Sequence, residues 1–313
     1  MNKEKRSKIN MIKLVKSLEL ANFVTHAGKF HADEVFGTIL LEHIYENINL
    51  IRLPEVDEAD VKDKIVYDIG GGKFDHHQLG GNGERKNKIK FAAFGLLWQE
   101  YGKQYLKKIN VENIDECFEM FDKNFVQFID AGDNGQIEFE KIDIKLVTLS
   151  DVIEGFNPNW NDDIDPDVKF KETLEMAKII FNNKIQSTIA KCSAKKLVED
   201  AIDKSKDGIM LLSRFMPYQD FVLESKNPKA EQILYAVFKS NRSGYTIRAI
   251  PKEQGSFKNR KKFPDKWCGL RNEELQHVTG VKTATFCHNA GFICVAEQLE
   301  DAMKLAKLAV EYN

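Results

Sequence analysis

The sequence predicts an α/β protein: an N-terminal parallel-sheet domain joined by a long helix to a smaller α+β domain. Three observations carry that expectation. Asn22-Phe-Val-Thr-His26 is a short apolar run, followed by a glycine-containing turn. From about Asp33 the apolar pairs Val35/Phe36, Ile39/Leu40 and His43/Ile44 recur at helical spacing, so strand, turn and helix open an α/β unit. After Asp165, with Pro166 at the first helical position, Phe170, Leu174, Ala177, Phe181, Ile185 and Ile189 keep one face apolar to about Lys204. Such a helix reaches on the order of 60 Å at about 1.5 Å per residue and suits a connector. The last hundred residues alternate short apolar runs with turns. The expected boundaries are 1–160, 161–206 for the connector and 207–313.

In chain order, residues 1–20 read as a polar tail running into a short element. Further strands are expected at Leu50-Ile-Arg-Leu53 and Lys64-Ile-Val-Tyr-Asp68, the second ending in an acid and followed by the tight turn Gly70–Gly72. Gly80-Gly-Asn-Gly-Glu-Arg85-Lys86-Asn-Lys88 is glycine-rich and basic, and reads either as a solvated loop or as a flap that carries charge to a phosphate. Helices are expected over Phe91–Tyr101 and Val111–Ile129. In the second, Phe118, Phe121, Phe125 and Phe128 form an apolar stripe typical of a core. In the C-terminal part, strands are expected at 208–212, 232–238, 245–250 and 291–295, and a closing helix at 296–312.

Bulk composition narrows the class. The 313 residues are 42% hydrophobic and 30% charged, as in a folded globular protein. Forty-six Lys+Arg against 48 Asp+Glu give a formal charge of −2, which argues against a broadly basic nucleic-acid binder but leaves room for a local basic groove. Five cysteines (Cys117, Cys192, Cys268, Cys287, Cys294) include no CxxC pair and read as free thiols in a reducing compartment. No segment approaches a membrane span or a signal peptide, so a cytoplasmic protein without membrane partners is expected.

The groups able to hold a cation are His26, His31, Asp33, Asp68, Asp75, His76, His77 and Asp130. Each follows an apolar run, where strand and helix ends fall in an α/β sheet. Carboxylate and imidazole together suit manganese, zinc or iron better than calcium. Six ligands with one bridging carboxylate meet the needs of two ions about 3.5–4 Å apart. On residues alone, a hydrolytic two-metal centre and an ordinary domain with a polar loop cluster both stay open.

The motifs His26-x4-His31-x-Asp33, Asp68-Ile-Gly, Asp75-His76-His77 and Phe128-Ile-Asp130, in this order, resemble those of the DHH phosphoesterase superfamily. The closer resemblance is to its melanocyte-proliferating-gene-type (Myg) branch. It is carried by Thr25-His26-x-Gly28-x-Phe30-His31-x-Asp33-Glu34, Tyr67-Asp68-Ile-Gly70-Gly71, Phe74-Asp75-His76-His77-Gln78 and Gly95-Leu-Leu-Trp98. It continues through Ile129-Asp130-Ala-x-Asp133-Asn134-Gly135, Gly155-Phe156-Asn157-Pro158-x-Trp160, Lys262-Phe-Pro264-x-x-Trp267-x-Gly269-Leu270-Arg271 and Phe286-Cys287-His288-x-x-Gly291-Phe292. In place of the superfamily's usual His-x3-Asp-x-Asp, this chain has His31 and one extra residue, a change shared by the Myg branch.

The resemblance implies a DHH-type catalytic domain with two divalent ions, manganese first, with magnesium, zinc or iron as alternatives. His26 and His31 would ligate one ion and Asp33 the other, Asp68 would bridge them, and His76 and Asp130 would complete the set. Asp75 would orient His76, and His77 would donate to the scissile phosphate or leaving group. The small domain would bind substrate through Lys262, Arg271 and His288, with Arg242 and Arg248 nearby. Trp98, Trp160 and Trp267 are candidates for stacking on bases, with core packing favoured for Trp98. The expected function is a metal-dependent phosphodiesterase, an exonuclease trimming RNA or short oligonucleotides by attack of a metal-bound hydroxide. A small-nucleotide phosphodiesterase and a noncatalytic nucleic-acid-binding scaffold are the alternatives.

Overall fold

The computed structural model describes residues 11–137 and 146–312. The chain divides into two compact units, Met1–Ile189 and Ala190–Asn313. The first opens with β1 (Met11–Leu14), β2 (Phe23–His26), α1 (Ala32–Ile44), β3 (Asn47–Leu53) and β4 (Ile65–Val66). All four strands are parallel, in the order β1-β3-β2-β4. β1 is the short element expected after the polar tail. β4 is shorter than its apolar run: Tyr67 still donates its N–H to Val24 O at 3.0 Å, and on its other side it forms a single bridge with Phe74.

Helices α2 (Ala93–Lys108), α3 (Ile114–Phe121), α4 (Gln127–Asp133) and α5 (Leu149–Glu154) follow. Nearly all of α1 is buried, and it packs against α2. The expected single helix at 111–129 is α3 and α4 joined by a π turn, Asp122–Val126. A π turn inserts one extra residue and shifts the helix phase by about 100°. Phe118, Phe121 and Phe125 are therefore buried, but Phe128 is 56% exposed, and Val126 and Ile129 take up the core side instead. The phenylalanine stripe holds for three of its four members.

Helix α6 (Pro166–Asp203) matches the long periodic segment. Within the first unit its Phe181 meets Phe94, Tyr105 and Phe121 at centroid distances of 6.3, 5.7 and 5.5 Å. His43 stacks between Tyr105 (5.0 Å) and Phe181 (5.3 Å) as a core residue.

The second unit contains β5 (Ile209–Leu212), α7 (Gln219–Glu224), α8 (Pro228–Gln232), β6 (Tyr235–Lys239), β7 (Tyr245–Ala249), α9 (Asn272–Thr279), β8 (Ala284–Cys287), β9 (Ile293–Ala296) and α10 (Leu299–Glu311). Its sheet runs β5-β6-β7-β9-β8, parallel at the first pair and antiparallel after it. Tyr235, Val237, Ile247 and Cys294 share a core with Trp267, Leu275 and Leu305. The mixed α/β class is as expected. The five cysteines are free, and no helix among the described residues is long and apolar enough to cross a membrane.

Burial, then the Lys178 and Lys108 ammonium groups, push His43 down to about 4 from its usual 6.5. Between these values the unfolded chain takes up the proton first, so stability present above about pH 6.5 is lost as pH falls toward 4. His43→Phe keeps the stack without the titration. It is expected to narrow the stability difference between pH 7 and pH 5 by about 1–2 kcal/mol in urea denaturation; an unchanged difference would show that His43 does not titrate in this way.

Candidate metal centre

The parallel register builds the centre. Val24 lies opposite Val66, so two residues further His26 and position 68 emerge together at the carboxyl ends of neighbouring strands. Asp68 holds a left-handed backbone, φ 59°, and its N–H donates to Phe74 O at 2.9 Å. This conformation costs a non-glycine residue about 1 kcal/mol. Gly70, at φ 85°, follows, and a Cβ there would sit 2.6 Å from Val56. This turn folds the chain back and delivers Asp75, His76 and His77 to Asp68.

The Asp68 carboxylate is the meeting point. Oδ2 is 3.2 Å from His26 Nε2, while Oδ1 is 3.5 Å from both His76 Nδ1 and His77 Nδ1. His76 Nδ1 is also 3.9 Å from Asp33, and its Nε2 is 2.8 Å from Asp133 Oδ2. His31, at the start of α1, lies 3.9 Å from Asp133, with its ring 5.7 Å from that of His26. Four groups have ligand atoms within 4.8 Å of one another: His26/His31/Glu34, His31/Asp33/Asp133, Asp33/Glu34/Asp68 and Asp68/Asp75/His76/His77. They share members and form one cluster able to hold metal.

Polar satisfaction supports a cation there. Both Asp68 carboxylate oxygens, Asp33 Oδ1, His26 Nε2 and His76 Nδ1 are buried without a hydrogen-bond partner. Buried polar atoms are rarely left so, and the donor set of imidazole and carboxylate fits a divalent metal. The tautomer agrees. His26 Nδ1 faces Ala27 O at 3.2 Å, and a carbonyl only accepts, so Nδ1 carries a proton and Nε2 is the nitrogen available to a metal among the acids.

The charges are strained without such an ion. Burial and then the Asp68 charge push the Asp33 carboxyl well above the usual range. Burial also raises Glu34, against the pull of His26. Burial disfavours the His26 cation, but Asp68 and Glu34 outweigh it and lift this imidazole to about 10. His76 is raised in the same way, chiefly by Asp133 and Asp68 against burial.

Several placements differ from the sequence expectation. Asp130 is in none of the ligand groups among the described residues. Its Oδ1 accepts the Gly95 N–H at 2.9 Å and its Oδ2 accepts Arg85 at 2.8 Å. It is packed so closely against α2 that a Cβ on Gly95 would fall 1.9 Å from it. Burial, moderated by Arg85, lifts it to about 7. Asp133, one helical turn further, stands where Asp130 was expected. Glu34, outside the expected ligand set, accepts the His31 N–H at 2.8–2.9 Å and lies 2.9 Å from His26. Its three-residue spacing from His31 is that of a helix-capping acid, which was the available signal. Asp75 serves His77 instead of His76. It accepts the His77 N–H at 3.0 Å and its Nδ1 at 2.9 Å, and Gly71 N–H at 2.6 Å. Burial would raise Asp75, but these donors hold it below the usual range.

The basic loop is neither flap nor free coil. Asn82 donates to the Lys73 and Asp75 carbonyls, Arg85 makes a two-pronged pair with Asp122 at 2.7 Å, and Asn87 binds Gln127. In the second unit, Lys262, Arg271 and His288 gather at the β8–β9 turn. Phe263 N–H bonds Gly291 O, Gly269 N–H bonds Cys287 O, and the Arg271 guanidinium lies 4.7 Å over Phe286. Arg248, opposite Ile293, lines a separate cavity of about 160 Å³ with Lys191 and Tyr218. Arg242 is on the β6–β7 turn, at the other end of the sheet, so it does not join the group.

Comparison with known proteins places the chain. The family profile named MYG1_exonuc, described as "Uncharacterised protein family (UPF0160)", matches residues 22–310. A MYG1 protein of Saccharomyces cerevisiae is 29% identical over 344 residues, covering 99% of this chain and 100% of that protein. A MYG1 protein of Schizosaccharomyces pombe is 27% identical, with 94% and 98% covered. A rat protein named MYG1 exonuclease is 27% identical, with 90% and 83% covered. No solved structure gives a significant match. The chain thus belongs to the MYG1_exonuc family, the Myg family that its motifs resemble.

Proposed function

We propose that this protein is a divalent-metal-dependent phosphodiesterase, a nuclease of DHH phosphoesterase type that trims RNA or short oligonucleotides in the cytoplasm. The observation that carries this is the Asp68 carboxylate, buried without a hydrogen bond between His26 on one side and His76 and His77 on the other. The exonuclease name of the mammalian relatives supports the same chemistry.

His26, His31 and Asp68 would hold one ion, and Asp33, Asp68, His76 and Asp133 the other, with Glu34 bracing His26 and the His31 backbone. Two such ions, manganese first, supply the positive charge that polarises a phosphodiester and an attacking water. The chain's own contribution is orientation. Asp75 accepts the His77 Nδ1–H, leaving Nε2 of this half-exposed ring for the phosphate or leaving oxygen. His76 presents Nε2 to Asp133 and Nδ1 to Asp68 and Asp33, so the ring lies among the acids that would share the second ion. The C-terminal domain, with the long helix as connector, would bind substrate phosphates through Lys262, Arg271 and His288.

Purified protein with manganese, magnesium or zinc should degrade end-labelled RNA or dinucleotides, and Asp68→Ala and His76→Ala should each lower the rate by more than about 100-fold. RNA binding without turnover in every metal would overturn the proposal, and a preference for dinucleotides would restrict the substrate to short chains. The two neighbouring acids should also separate. Asp133→Asn is expected to weaken manganese affinity at least about tenfold in calorimetric titration with little change in unfolding midpoint. Asp130→Asn should cost about 1–3 kcal/mol of stability and leave metal affinity nearly intact; the reverse pattern would restore Asp130 as the ligand.

A further inference from the structure

The three tryptophans differ sharply. Trp98 and Trp267 are buried in the two cores, whereas Trp160 is 98% exposed. A ring of this size left in water forgoes a large burial gain and stays available for contact with a ligand or partner. Its loop is not loose. Asn157 Oδ1 accepts the Phe30 N–H at 2.9 Å and its Nδ2 donates to the Phe30 carbonyl at 2.8 Å, imitating one rung of a sheet. Across the tryptophan, the Asn159 backbone and side chain both donate to Asp162 Oδ2, at 2.8 and 2.9 Å. Trp160 therefore projects from a closed turn whose anchor is the residue before His31. Three residues of chain reach at most about 10 Å, roughly the span of one or two nucleotides. Leu79, two residues beyond His77, is the other large apolar side chain of this unit exposed to a similar degree among the described residues. Apolar groups thus stand in water on segments tied to the two half-exposed histidines of the cluster, Leu79 along the chain and Trp160 through the Phe30 clamp.

We infer that Trp160 is a stacking platform for a nucleobase next to the phosphodiester held at the metal centre. This rests on the nuclease function proposed above and adds a base-recognition subsite to it. Every base has a π-face, so such a platform takes single-stranded substrate with little sequence preference. The clamp on Phe30 ties its position to His31, so base and phosphate are set by one loop.

Tryptophan emission tests this directly, because the other two rings are buried. With a non-hydrolysable dinucleotide analogue in magnesium, the exposed emission is expected to quench, and the quench to vanish in Trp160→Phe. An abasic analogue with the same phosphodiester should not quench. In hydrolysis assays Trp160→Ala is expected to raise KM for a dinucleotide roughly tenfold at nearly unchanged kcat, with Trp160→Phe in between and the abasic substrate unaffected. Cleavage with the same KM in Trp160→Ala and no quench would overturn the platform while sparing the nuclease. Failure of the wild type to cleave any substrate would count against the nuclease, and the quench would still decide whether a base binds. Quenching by neither analogue would assign the exposed ring to a protein surface instead.

Discussion

Four buried or half-buried acids, Asp33, Glu34, Asp68 and Asp133, crowd the same small volume at the carboxyl edge of the first sheet, and their mutual repulsion must be offset there. Two like charges 4 Å apart repel by about 4 kcal/mol at the effective dielectric of a protein site. Protons on His26 and His76 offset part of this in the metal-free protein, as the upward shifts of both imidazoles indicate. A divalent cation would offset more, and it would satisfy the carboxylate oxygens that hydrogen bonds do not reach. Other features then find a reason. The parallel register aligns His26 with Asp68, the left-handed backbone at Asp68 sends the chain straight back, and Glu34 fixes the start of α1 where His31 enters.

Much of this was legible locally. Acids and histidines at the ends of apolar runs marked the carboxyl edge of a parallel sheet, and the motif order pointed to the family. What local pattern did not carry was phase. Asp130 and Asp133 are one helical turn apart, and nothing in their immediate neighbours says which faces His76. The π turn at Asp122–Val126 settles the rotation of α4, exposing Phe128 and turning Asp130 toward α2 and Arg85. Similarly, the adjacency of Asp75 to two histidines left its partner undetermined, and only the fold of the turn chose His77. The short elements α7, α8, α9 and β8 carry too few residues for periodicity to reveal them.

Composition also misleads about where charge is available. The segment from Gly80 to Lys88 has the glycine and basic content of a solvated loop or a phosphate-seeking flap, yet Arg85 is committed to Asp122 and Asp130. Arg52 likewise pairs with Asp167 and donates to the Gly28 carbonyl, bracing the His26–His31 turn from below. In the run Lys258–Lys262, Arg260 donates to the Ala230 and Ile233 carbonyls and Lys261 to the Val310 carbonyl. A cation binds substrate only if the fold has not already given its donors away, and that is a tertiary fact.

The Asp75-His76-His77 tripeptide shows how one short stretch divides its labour. The two rings lie 4.1 Å apart and both approach Asp68, so spacing alone would make them equivalent. Burial and partners separate them. His76 is buried among Asp33, Asp68 and Asp133, and can only serve the interior of the cluster. His77 has over half its side chain in solvent and a carboxylate partner of its own, so it can meet a substrate without disturbing the acids beneath. Holding a cation and handling a phosphate make opposite demands on exposure. In the proposed reaction two consecutive histidines on one turn would meet both, since His76 lies against Asp133 of α4 while His77 is half exposed.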